Sequence, residues 1–280
     1  MPRLARVRAR LDALVAAHDV GDSLAADPLE LVRSAAPEDQ EIVALLAATL
    51  AFGQVKTIRA SLRRVLDALG PTPTRTLRAE DEPALAARLE GFVHRVYKGR
   101  DVARMLANAG ALLRAHGTLG AFFAAKYAAH QDLREALALL ADELRAGPTP
   151  SRGLAHLVPD PRKGSASKRL LLWLRWMVRP ADGVDLGLWD VPASALVIPV
   201  DTHIQRIAQN LGLTRRTDAS WRTAEEITAA LRRFDAADPV KYDFALCHLG
   251  VSGSCPSRRD PVKCASCRVR EVCLHWTPRR

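Results

Sequence analysis

Four of the chain's five cysteines, Cys255, Cys264, Cys267 and Cys273, fall within nineteen residues in the pattern C-x8-C-x2-C-x5-C. Thiolates are soft ligands, and four of them in one short segment suit a metal centre better than a disulfide framework, which belongs to small secreted domains. On the residues alone two centres stay open. A structural zinc ion takes four thiolates, but zinc ribbons pair two C-x2-C knuckles and this segment has one. An iron-sulfur cluster needs four thiolates around a larger sulfide-bridged body, which uneven spacing in one loop can supply. Cys247 stands outside the pattern, in an apolar helical run, and reads as core.

The cysteine segment is also basic. Between Cys255 and Arg280, seven Lys or Arg at 258, 259, 263, 268, 270, 279 and 280 face only Asp260 and Glu271, which places +5 of the chain's net +10 there. Such a charge suits a polyanion, nucleic acid ahead of an anionic membrane surface. No run of eighteen apolar residues and no secretory leader is visible, so the expected location is cytoplasmic, with no membrane partner.

Ala, Leu and Arg dominate the 280 residues, with 48% hydrophobic and 26% charged, the composition of a helical protein. Leu4, Val7, Leu11 and Val15 recur at helical spacing in a first helix. Pro37 and the acids after it open a helix over IVALLAATLAF, apolar on nearly all sides and ending near Phe52-Gly53-Gln54; the next runs from Thr57 to Leu69 and stops at Gly70-Pro71. Further helices are expected at about 83–96, 101–115, 118–128 and 131–145, with no strand pattern. A loop rich in Pro, Gly and Ser, 148–167, leads to the run Lys168-RLLLWLRWMVR, whose Trp173 and Trp176 read as core. Asp201 is a good N-cap for a helix to Leu211, closed by Gly212, and helices at about 220–234 and 239–249 precede the cysteines.

The cysteine spacing, its C-terminal position and the preceding Phe244-ALCHLGVSGS resemble the cluster loop of the endonuclease III branch of the helix-hairpin-helix DNA glycosylases, C-x6-C-x2-C-x5-C, with the first gap two residues longer. Separately, Val200-Asp201-Thr202-His203 resembles that superfamily's V-D-T-H helix start, in which the aspartate is catalytic. LLAATLAFGQVKT at 45–57 is similar to its early buried helix ending in a glutamine, here Gln54, that enters the DNA stack, and residues 96–119 are similar to the glycine turn and helix after its intercalation region. The family's L-P-G-V-G-x-K hairpin is absent. Lys168 instead stands 33 residues before Asp201, a wide separation similar to that of archaeal 8-oxoguanine glycosylases, and L-R-W-M-V-R at 174–179 also resembles an uncharacterised bacterial family.

The resemblance implies an all-α, two-lobed glycosylase fold: a helical barrel over 40–190 with a modified hairpin, and a second lobe from 1–39 plus 191–280 carrying a [4Fe-4S] loop at 255–273. The active site would lie in the cleft between them. It further implies a monomer, associated with the nucleoid, that excises a damaged, oxidised base, such as 8-oxoguanine, from double-stranded DNA. Breaking an N-glycosidic bond builds positive charge on the sugar, which a fixed carboxylate such as Asp201 stabilises. Lys168 would attack C1′ and form a Schiff base, giving AP lyase activity; this needs a neutral amine, so its pKa is expected to be lowered by burial, Arg169 and Lys163. Lys163 is an alternative nucleophile. Gln54 would fill the space of the flipped base, Asp185 and Trp189 would line its pocket, and Lys163, Ser165, Ser167, Arg258, Arg259, Lys263, Arg268 and Arg270 would contact phosphates. Two other classes share the charge pattern: a non-catalytic DNA-binding protein that keeps the fold and metal centre as scaffold, and an enzyme directed at RNA or single strands.

Overall fold

The computed structural model describes residues 3–18, 20–251 and 255–277; Arg279 and Arg280 lie outside the described residues. Helices dominate, as expected for an all-α chain, and the one sheet among the described residues is a hairpin of Val93–His94 against Tyr97–Lys98. The chain forms two compact units, a smaller one of 1–23, 164–171 and 192–280 and a larger one of 24–163 and 172–191. Residues 24–39 thus belong with the larger unit, and the segment 164–171 with the smaller.

The core of the larger unit includes the helix Gln40–Thr49, buried at every position from Ile42 to Thr49 because its sequence offers no polar face. Val55–Leu69 buries one stripe, Ile58, Leu62, Val65 and Leu69. The helix expected over 83–96 ends at Arg88, since Gly91 turns the chain at φ +67° into the hairpin, where His94 and Tyr97 are buried. His94 Nδ1 lies 2.8 Å from Ser61 Oγ, so the hairpin is held to Val55–Leu69 by a polar contact that periodicity does not register. Gly99–His116, Leu119–His130 and Leu133–Leu144 follow. The segment read as a loop over 148–167 holds a short helix, Arg152–Leu157, capped by the Ser151 side chain. Trp173 and Trp176 are buried as expected.

The smaller unit contains Arg3–Ala16, which buries Val7, Leu11 and Leu14, together with Thr202–Leu211, Trp221–Arg232 and Asp243–Val251. Thr202–Leu211 and Asp243–Val251 cross where Gly250 meets His203; a Cβ at residue 250 would stand 2.7 Å from that of His203, so only glycine fits the crossing. The first helix is tied in by Arg3, whose guanidinium donates to the carbonyls of Leu211 and Val272, and by Asp12, which accepts from Tyr242 Oη at 2.8 Å. No helix among the described residues is long and apolar enough to cross a membrane.

Candidate active site and cysteine site

Asp201 is extended and caps Thr202–Leu211, its Oδ1 accepting from the amides of His203 and Ile204 at 2.9 Å each. Its other oxygen, Oδ2, lies 3.2 Å from Lys168 Nζ, and the two side chains are 22% and 31% exposed. Residues 33 apart in sequence therefore form one ion pair within the smaller unit. For Asp201, burial works upward, but the Lys168 ammonium and the capped amide of Ile204 outweigh it and hold the carboxyl below its usual range. For Lys168, burial works downward, and the charges of Asp201, Cys247 and Asp243 outweigh it and hold the amine above its usual range. This corrects the expected direction. The opposing influence on the amine is burial rather than nearby cations, and Asp201 leads the groups that outweigh it; burial does push Arg169 down, to about 10. Cys247, which the sequence reads as core, and Asp243, which it does not single out, lie one turn apart on Asp243–Val251 and are thus site neighbours; no local pattern signals their influence on a lysine.

Several other expected site residues have structural work. Asp185 is fully buried in the larger unit between Arg175, whose Nη2 lies 3.0 Å away, and Arg179. Trp189 is 5% exposed, donates from Nε1 to Glu41 at 2.7 Å and meets Trp173 edge-on at 4.9 Å. Neither presents a face for a base. Ser165 and Ser167 satisfy one another, Ser167 N donating to Ser165 Oγ at 3.1 Å, while Ala166 N and Gly164 O pair with the backbone of Ala219 and Trp221. The loop amides expected to hold a phosphate are used internally. Lys163 is exposed on a short turn of the larger unit, and Gln54 is exposed just before Val55–Leu69, beside a Phe52 ring covered by Arg95 at 4.7 Å.

Cys255, Cys264, Cys267 and Cys273 line one cavity together with Ile207, Asn210 and Val269, and none forms a disulfide. Among the described residues no three His, Cys, Asp or Glu side chains converge closely enough to hold a single metal ion. Burial pushes the Cys255 and Cys273 thiols upward, so a metal there would have to displace their protons. At the rim, Trp276 lies between two guanidiniums, Arg259 at 4.0 Å and Arg270 at 4.3 Å from its ring centre. Arg268 donates to the carbonyl of Ala17. Of the five cysteine-segment cations expected to grip phosphates, Arg258 and Lys263 are exposed without such commitments in the described contacts.

A family model described as Protein of unknown function (DUF2400) matches residues 27–252. The chain belongs to this family. The DUF2400 match includes Lys168 and Asp201 and stops before Cys255. No curated protein and no solved structure matches the chain.

Proposed function

We propose that the protein is a base-excision DNA glycosylase with AP lyase activity, acting on an oxidised base such as 8-oxoguanine in double-stranded DNA. The observation that carries this reading is the Lys168–Asp201 pair, 3.2 Å apart, with the carboxylate fixed at a helix N-terminus. That position keeps Asp201 ionised and immobile, as stabilisation of an oxocarbenium-like sugar requires. For Lys168 to attack C1′ its Nζ must first lose a proton to water, leaving Asp201 ionised; the bond from C1′ to the base then breaks as the bond from Nζ to C1′ forms, and the base leaves with the electron pair and takes up a proton. Elimination of the 3′ phosphate follows from the Schiff base.

In this reading the four cysteines would hold a [4Fe-4S] cluster, and what supports it is that all four line one cavity. When bound, the cluster would cross-link the loop and supply no step of base removal. Gln54, Arg258 and Lys263 remain available for DNA.

The test is borohydride trapping on lesion-containing and abasic duplexes. The parent is expected to form a covalent adduct and Lys168→Ala none; failure of every duplex to trap the parent sinks the AP lyase reading. The raised Lys168 amine favours a second reading, in which it stays charged, contacts phosphate, and the protein binds nucleic acid without cleaving it. Equal affinity for lesion and intact duplex with no product would establish that alternative, and preference for structured RNA over duplex DNA would redirect the substrate.

A further inference from the structure

The helix Thr202–Leu211 places His203, Arg206 and Asn210 on one face at spacings of three and four, and that face meets the start of the cysteine segment. Arg206 Nη2 donates to the carbonyl oxygen of Cys255 at 2.7 Å and lies 3.4 Å from His203 Nδ1. Asn210 Nδ2 points at Cys255 Sγ at 4.0 Å, and the Asn210 carbonyl accepts from Leu274 N at 2.7 Å. Arg3 spans the carbonyls of Leu211 and Val272 at 2.9 and 2.8 Å. The helix that Asp201 caps is therefore fastened to both ends of the cysteine segment.

Arg206 is the fastening nearest Asp201. Its Nε is buried without a hydrogen-bond partner among the described residues, so the guanidinium keeps this position at a desolvation cost that its Nη2 contacts offset. Gly250 also packs close to His203, where a Cβ at residue 250 would stand 3.3 Å from the same Nδ1. Arg206 thus closes a chain running from the Cys255 carbonyl through His203 to the two amides that Asp201 holds.

We infer that Arg206 is a positioning residue, which transmits the placement of the cysteine segment to the Asp201 cap. Only the role given to Asp201 rests on the glycosylase reading; the mechanical link does not. It assigns the cysteine segment a task within the active site in addition to contact with DNA.

Amide hydrogen exchange of the full chain tests this, read at His203 and Ile204, with Trp221–Arg232 as internal reference. Arg206→Gln is expected to speed exchange at the two amides about tenfold, the effect of losing one hydrogen bond, and to leave the reference helix unchanged. Arg206→Lys should recover part of the protection. In the parent, chelation followed by alkylation of the thiols should reproduce the increase, and in Arg206→Gln it should add nothing further, the signature of coupled groups. Unchanged protection in Arg206→Gln overturns the inference; if that variant does not fold, unchanged protection in the alkylated parent does so. A parent that never traps on DNA while exchange behaves as expected defeats the glycosylase reading and leaves the link standing.

Discussion

Asp201 divides its two oxygens between two tasks, Oδ1 capping a helix and Oδ2 facing Lys168, so substitutions can separate them. Asn caps as well as Asp does, so Asp201→Asn should retain the helix start while abolishing adduct formation. Asp201→Ala should abolish the adduct and also cost about 1 kcal/mol more in urea unfolding through loss of the cap. The pair also fixes a pH window. Asp201 sits below its ordinary range, so its contribution is present above the unfolded value and is lost as pH falls through the folded one. Lys168 sits above its range, so its contribution is present below the unfolded value and is lost as pH rises through the folded one. The stabilisation should be full between about pH 4 and pH 10. Lys168→Met should lower stability across that window and converge with the parent at both extremes, as read from urea midpoints over the pH range.

The helices are legible wherever one physical signal dominates. Gln40–Thr49 has no polar face and is buried; Asp201 stands before an amphipathic run and caps it. Reading fails where tertiary partners decide. Asp185, in a turn rich in glycine and aspartate, reads as lining a base pocket, but Arg175 on the preceding helix and Arg179 just after it hold it fully inside. The hairpin at 93–98 has strands of two residues each, too short for alternation to register. Cys247 reads as core, and its influence on Lys168 depends on which helix lies opposite, which periodicity cannot specify. Asp185→Ala is therefore expected to destabilise by about 3–5 kcal/mol, because it removes the buried carboxylate that both guanidiniums face. Binding of DNA per folded molecule should not change. Calorimetric unfolding and binding titration of the same preparation separate the two effects, and weakened binding without destabilisation would restore Asp185 to a base pocket.

Across the whole molecule the net charge of +10 supports attraction to a polyanion, but the contacts redistribute the work within it. Arg259 and Arg270 are stacked on Trp276 and Arg268 is bonded to the first helix region, leaving Arg258 and Lys263 as the cysteine segment's freer cations. Replacing both by Ala should reduce the slope of log affinity against log salt by about 2, since each phosphate contact releases roughly one counterion. Arg268→Ala should change that slope little and lower stability instead. The path of the chain adds a constraint of another kind. Lys168 and Asp201 belong to one unit, yet residues 172–191 between them belong to the other. Loop closure over that excursion costs entropy, which the folding of 172–191 in its own unit offsets. A fragment cut at the boundary before residue 192 would inherit the carboxylate without its lysine.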